Sequence, residues 1–292
     1  MISKITAIIM SVVALISNFS GILPSVAMYY PDVEYGTHKR QVMDVFFPQE
    51  YEKTEAVVLF IHGGGWVSGD KSSFKKRAQS ISKTANCIAA TMNYRFASKS
   101  IDCNDMLDDI TSALKKIESM AETRGIECER VMLVGNSAGA HLALLYAYTK
   151  QSSSPVEVCA VTSYSGPSDL RTESFSNGIN GISKEKSDTI LSYLAGKDIT
   201  ELSKTKRDKV LYKYSPIKYV TINTVPTLVI HGTQDETVHV EDTRIFVKKL
   251  KANRVDYKYY ELPDSGHGLN ADAYILEQSN AEFVEFVNMY IK

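Results

Sequence analysis

Short, continuously apolar runs alternate with longer stretches in which apolar residues recur at helical spacing. Residues 56–61 are apolar throughout, 87–92 are apolar but for Thr91, and 131–134 is a third such run. Runs this short fit strands buried on both faces of a sheet. Residues 156–164, 227–231 and 255–262 are further strand candidates. Residues 32–35 and 41–47 alternate between apolar and polar, which predicts a pair of edge strands, the second closed by Pro48. Between the strands lie helix candidates at 72–84, 104–124, 140–147, 240–251 and 273–291. The helix at 104–124 carries Met106, Leu107, Ile110, Leu114, Ile117 and Met120 on one stripe and stops at Gly125. The last helix presents Ile275, Leu276, Phe283, Phe286 and Val287. Strands alternating with helices predict an α/β fold, a mostly parallel sheet covered by helices on both faces.

One stretch breaks the rhythm. Residues 170–214 are largely polar, are interrupted by Gly178 and Gly181, and support only short helices such as 186–194. They are expected to form a lid or cap inserted into a single catalytic domain spanning residues 28–292. The chain shows no internal repeat and no low-complexity tract.

Residues 1–27 stand apart from this pattern. Lys4 precedes an apolar run at 5–16 that is too short for a comfortable membrane span. Ser25, Val26 and Ala27 form a small-x-small cleavage pattern. This predicts a secretory signal peptide cut after Ala27, hence a secreted or periplasmic protein with no stable membrane span; an uncleaved anchor is the alternative. No cysteine lies near the cut, so a lipid anchor is not expected.

Composition narrows the function classes. In 292 residues, 44% are hydrophobic and 23% charged, as in ordinary globular proteins. The net charge is −1 and becomes −2 without Lys4, so no attraction to nucleic acid or an anionic membrane is implied. The basic runs at 75–77 and 204–209 are expected to be solvated surface. Of four cysteines, Cys103 and Cys128 flank one predicted helix and are the expected pair if an exported chain forms one disulfide. Cys87 and Cys159 fall in apolar runs and are expected to be buried thiols. No spacing fits a zinc site, so no metal is expected.

The chemistry centres on Gly135, Asn136, Ser137, Ala138 and Gly139, a G-x-S-x-G turn between a strand and a helix. Such a turn leaves no room for Cβ atoms around its centre and exposes the Ser137 hydroxyl above the sheet. The helix that follows directs its N-terminal N–H groups toward that hydroxyl, where negative charge is stabilised. A serine hydroxyl is un-ionised near neutral pH and needs a base. His267, between Gly266 and Gly268, follows the last strand and could take the proton. Asp235 follows the strand before it and could hold the imidazole tautomer. The order Ser, Asp, His places all three at strand carboxyl ends, where open α/β sheets bind ligands. Upstream, His62, Gly63, Gly64, Gly65 and Trp66 end a strand. Consecutive glycines let main-chain N–H groups approach a substrate oxygen, and the expected oxyanion donors are Ala138 N–H with Gly64 or Gly65 N–H. The alternative, a phosphate-binding turn, lacks the lysine and Ser/Thr of a P-loop and the spacing of a dinucleotide fingerprint.

These motifs, with Asn93-Tyr94-Arg95 and the segments 231–235 and 265–268, make the chain resemble the α/β-hydrolase superfamily. Within it, the chain is similar to the esterase/lipase group marked by an HGGGW-type oxyanion motif. The likeness runs from about Tyr29 to the C-terminus. It implies an eight-stranded mixed sheet, a serine acyl-enzyme mechanism and no cofactor.

Other candidates are weighed against these. Asp169 also follows a strand end and is the alternative acid, and Asp264 is expected only to line a loop. His62 is expected to shape the oxyanion loop, His141 and His231 to be packed, and His38 and His239 to lie on the surface. Asp70 and Arg95 are candidates for a brace under the oxyanion loop, or else a surface acid and an ordinary strand-end arginine, and Trp66 for the acyl pocket or for packing the loop. The expected function is an exported serine esterase acting on short acyl esters, acetyl or aromatic, of small molecules or carbohydrate, with plant polysaccharide as one carrier. A short lid argues against long-chain lipid. An arylformamidase or peptidase with the same machinery is the second reading. A non-catalytic binding module on a hydrolase scaffold is the third.

Overall fold

The computed structural model describes residues 28–49, 56–176 and 182–291, with the backbone alone for residues 176 and 273–276. The expected signal peptide, Gly178, Gly181 and the side chains of Ile275 and Leu276 lie outside the described residues.

Period-two alternation builds two cores from each central strand. In β3 (Ala56–Ile61), Val57, Leu59 and Ile61 enter one core while Ala56, Val58 and Phe60 enter the other. β5 (Arg130–Asn136) divides the same way, Val131 and Leu133 against Met132 and Val134. Both faces must therefore be covered. The first is covered by α2 (Cys103–Glu122), α3 (Ala138–Thr149) and α7 (Val240–Ala252); the second by α1 (Lys75–Thr84) and α8 (Ala273–Ile291).

Among the described residues eight strands form one sheet. With β1 (Met28–Glu34), β2 (Val42–Phe47), β4 (Ile88–Met92), β6 (Glu157–Tyr164), β7 (Thr227–Gly232) and β8 (Tyr257–Leu262), the order is β1-β2-β4-β3-β5-β6-β7-β8. β2 runs antiparallel to β1 and β4, and all other neighbours are parallel. This is the α/β-hydrolase fold. The expected pair of edge strands needs correction: β1 is an edge, but β2 is hydrogen-bonded on both sides. Its burial agrees, since Met43, Val45 and Phe47 are fully enclosed. Among the described residues no helix is long and apolar enough to cross a membrane.

The expected Cys103–Cys128 disulfide is not formed; among the described residues all four cysteines are free. The helix and the tight turn that ends it keep them apart, since Ile126 N–H returns to the Ala121 carbonyl (3.1 Å) and the following segment does not run back fully extended. Asp102 caps α2 through a capping box with Asp105, so Cys103 sits at the first turn. Twenty residues of helix carry the chain about 30 Å. The residues from Glu122 to Cys128 could return it at most about 20 Å, and a disulfide needs Cα atoms within about 7 Å.

The polar stretch after β6 forms α4 (Glu173–Ser176), α5 (Lys184–Leu194) and α6 (Lys204–Leu211). α5 starts two residues before the expected boundary because the Ser183 hydroxyl caps it at the Lys186 N–H. Leu191, Leu194 and Leu211 are fully buried in the same core as α2 and α3. Arg207 ties α6 to α5 and α4 through Asp188 (3.1 Å) and the Phe175 carbonyl (2.9 Å).

Candidate functional site

The four parallel strands β3, β5, β7 and β8 deliver His62, Ser137, Asp235 and His267 just past their carboxyl ends. Their order in the sheet and the tight turns that follow them decide what meets.

The turn after β5 holds Ser137 at φ 52° and ψ −124°, a region that non-glycine residues avoid. The backbone is pinned there by its N–H donating to the Tyr164 carbonyl (2.8 Å) and its carbonyl accepting from His141 N–H (3.0 Å). Gly139 makes the turn possible: a Cβ there would lie 2.1 Å from the Ile61 carbonyl oxygen, so no other residue lets α3 sit against the end of β3. The Ser137 hydroxyl faces His267, with Oγ to Nε2 at 2.9 Å, and His267 Nδ1 lies 2.8 Å from Asp235 Oδ2. A carboxylate only accepts, so Nδ1 carries the proton and Nε2 is left to accept from the serine.

Asp235 has a fully buried side chain. Its Oδ1 accepts from the Thr237 and Val238 N–H groups (2.8 and 2.9 Å), and its Oδ2 also faces His231 Nε2 at 3.1 Å. Burial alone would raise its pKa. Hydrogen bonds from His231, His267 and the Val238 amide outweigh burial and hold the carboxyl well below the ordinary carboxylate range.

The glycine loop is built around a carbonyl. Gly64, at φ 116°, turns its C=O to accept from Ser68 N–H (2.9 Å), Val67 N–H (3.2 Å) and the Ser68 hydroxyl (2.7 Å). A Cβ on Gly64 would lie 2.2 Å from the Ser68 carbonyl oxygen. Gly63 N–H donates to Asn136 Oδ1 at 2.8 Å, which locks the loop to the serine turn. Gly64, Gly65, Ser137, Ala138 and His267 line one cavity of about 330 Å³. Trp66, Phe175, Ile182, Ile190 and Val238 supply most of its apolar wall, three of them from the segment between β6 and β7.

A family model described as BD-FAE matches residues 43–250. The chain belongs to the BD-FAE family. It is 27% identical to Esterase LipC of Mycobacterium tuberculosis over 82% of this chain and 59% of that protein. It is 25% identical to isoprenylcysteine alpha-carbonyl methylesterase ICME of Arabidopsis thaliana, over 75% of this chain and 52% of that one. The chain thus spans between half and three-fifths of the length of these curated relatives. Among solved structures it is similar to a truncated carbohydrate esterase from gut microbiota, with TM-score 0.71, 17% identity and coverage of 91% and 98% of the two chains. A bacterial heroin esterase superposes with TM-score 0.70 at 18% identity, covering 98% of this chain and 90% of that one.

The contacts of this BD-FAE domain place the remaining candidates. Asp169 does not face the imidazole; Arg171 takes both of its oxygens (2.9 and 2.7 Å). Asp70 and Arg95 do not pair. Asp70 caps the turn at Ser72 N–H and accepts from Asn93, while Arg95 binds the buried Asp109 at 2.8 Å. The brace under the glycine loop is Arg40, which sequence reasoning missed. Its guanidinium donates to the Gly69 carbonyl (3.1 Å), the Tyr94 carbonyl (2.9 Å) and His62 Nε2 (3.1 Å). Nothing in the local sequence marks Arg40, which lies before β2 and reaches the loop only through tertiary packing. His231 was expected to be simply packed. It is buried, but its Nε2–H points at both Asp235 Oδ2 and the Val238 carbonyl (2.8 Å), and its Nδ1 accepts from the Thr243 hydroxyl (2.9 Å). Its position four residues before Asp235, at a strand end, was the available signal.

His62 and His141 are neutral parts of the frame. Arg40 can only donate, so His62 Nε2 accepts and its Nδ1–H donates to the Gly63 carbonyl at 2.6 Å. Trp66 Nε1–H donates to His141 Nδ1 at 3.2 Å, and His141 Nε2–H donates to the Tyr214 carbonyl at 2.7 Å. This links the glycine loop to the segment between β6 and β7, which lines the cavity. Burial is the chief cause that lowers both imidazoles to about 4 from the ordinary 6.5. A histidine that is neutral when folded and protonated when unfolded adds stability fully above pH 6.5 and loses it as pH falls toward 4. At one pKa unit per 1.36 kcal/mol, each contributes about 3 kcal/mol at most. The midpoint of thermal unfolding should therefore fall steeply between pH 6.5 and 4. His141→Gln should flatten that slope, read by calorimetry across the range; an unchanged slope would show that His141 is not held neutral.

Proposed function

We propose that this protein is a carboxylic ester hydrolase in which Ser137 is the nucleophile, His267 the general base and acid, and Asp235 the orienting carboxylate. The reading is carried by the hydrogen-bonded row Ser137–His267–Asp235, which opens on a cavity lined by Gly64, Gly65 and Ala138. Attack forms the Ser137 Oγ–acyl carbon bond as the serine proton passes to His267 Nε2. The carbonyl oxygen becomes an oxyanion, stabilised by Ala138 N–H and an N–H of the glycine loop at roughly 3 kcal/mol per donor. Collapse breaks the bond to the alcohol, which leaves with the proton from His267. Water then repeats the sequence on the acyl-enzyme and regenerates Ser137.

The cavity supports short or single-ring acyl groups, such as acetyl or aromatic acyl. It is at the small end for ligand sites and is roofed by Phe175, Ile182 and Ile190. The relatives named as esterases support the ester over the amide. The apolar run at residues 5–16 followed by Ser25, Val26 and Ala27 supports export. The test is hydrolysis of p-nitrophenyl acetate, butyrate and palmitate, with a fluorophosphonate probe mapped by mass spectrometry. The expected result is kcat/KM for the short esters at least about tenfold above palmitate and the probe on Ser137. Absence of both hydrolysis and labelling would remove the proposal.

A further inference from the structure

A second cavity, of about 300 Å³, meets the first at Asn136 and His267. It is lined differently. Ser73, Arg77, Asn136, Tyr164 and Asn280 set polar groups among apolar walls from Phe74 and Leu269, and among the described residues no carboxylate lines it. Among the described residues that line it, Arg77, at the first turn of α1, is the one fixed charge. The Tyr164 and Phe283 rings each lie 4.5 Å from the guanidinium carbon and hold its plane. Nη2 donates to the Tyr164 hydroxyl and to Asn280 Oδ1 (2.8 Å). Among the described residues Arg77 makes no ion pair, and its Nε–H and Nη1 hydrogens have no protein acceptor. A partly buried guanidinium fixed by two rings, with donors to spare and no counter-ion, is built like an anion site.

The reaction assigns an occupant to this side. The acyl carbonyl must sit at the glycine-loop and Ala138 amides, which line the first cavity and not the second. The leaving oxygen must sit within reach of His267, which lines both. We propose that the second cavity holds the alcohol half of the substrate and that Arg77 selects alcohols carrying a carboxylate, such as a sugar acid or an aromatic hydroxy acid. This deepens the esterase reading and rests on it. Covalent chemistry is unchanged: the acyl–oxygen bond breaks, the proton from His267 goes to the departing oxygen, and the carboxylate stays ionised against Arg77 throughout.

The experiment compares 4-acetoxybenzoate with its methyl ester, which share the acyl group and ring and differ in charge. In the wild type, kcat/KM should favour the anion by about tenfold at low salt, the scale of one charge-assisted contact, and the preference should shrink in 0.5 M NaCl. Arg77→Gln should abolish the preference, and Arg77→Lys should restore part of it. As a second readout, 4-hydroxybenzoate should inhibit the wild type competitively and Arg77→Gln about tenfold more weakly. Equal use of both esters by the wild type would overturn the proposal and leave the esterase reading standing. So would an equal loss on both esters in Arg77→Gln accompanied by a lower melting temperature, because Arg77 would then be only a clamp between α1 and α8. Failure to cleave either ester, with no fluorophosphonate label on Ser137, would remove the esterase reading and this proposal together.

Discussion

Ser137→Ala should lower kcat on p-nitrophenyl acetate by about 10⁵-fold, because loss of the nucleophile leaves only the contribution of binding and the oxyanion donors. The companion substitution Ser137→Gly should be as inactive and yet more stable than the wild type. Ser137 is held at φ 52°, and a non-glycine residue in such a region costs on the order of 1–3 kcal/mol. Glycine relieves this strain, offset by about 1 kcal/mol of unfolded-chain entropy. The expected net gain is a rise of about 2 °C or more in melting temperature. Activity and thermal unfolding on the same preparations check both halves. A Ser137→Ala protein with wild-type turnover would exclude Ser137 as nucleophile. A Ser137→Gly protein that melts lower would show that the turn is not strained.

Asp235→Asn should cost about 10⁴-fold in kcat, through the imidazole tautomer. Here the cost should extend to stability. Oδ2 faces two imidazole nitrogens and Oδ1 faces two backbone N–H groups. Turned toward the imidazoles, the NH₂ forces His267 into the tautomer with Nδ1 unprotonated and still meets His231 Nε2–H; turned away, it meets the Thr237 and Val238 N–H groups, and leaving buried donors unpaired costs about 1–3 kcal/mol. The stability defect should be largest near neutral pH. The Asp235 carboxyl is held below the ordinary carboxylate range, so its contribution is complete above about pH 4 and is lost as pH falls through its folded pKa. The difference between wild type and variant should therefore narrow in acid, measured by urea unfolding from pH 7 downward. A constant difference across that range would show that the charge of Asp235 is not what the site stabilises.

Asn136, Arg40 and His231 mark the boundary between what could be read from the chain and what could not. Asn136 was visible as a position in the serine turn, but its bond to Gly63 joins residues 73 apart. Arg40 and His62 are separated by 22 positions and two strands. His231 reads as core from its place at the end of a strand, which is true of its ring and silent about its Nε2–H. The Cys103–Cys128 disulfide is absent for a related reason: two cysteines that flank one helix are near in sequence, while its twenty residues hold them apart in space.

By itself the sequence determined what depends on local sterics and periodicity. Continuously apolar runs such as residues 56–61, whose side chains alternate between faces, feed two cores whatever else the chain does, so the doubly covered sheet followed. Gly135 and Gly139 around Ser137 define a turn that only small neighbours allow, so the position and exposure of that hydroxyl followed too. Only the tertiary structure decided which carboxylate, Asp169 or Asp235, faces His267, and which cation braces the glycine loop. Those outcomes depend on strand order and on donors converging from segments far apart in the chain, and no local pattern encodes where two distant strand ends will meet.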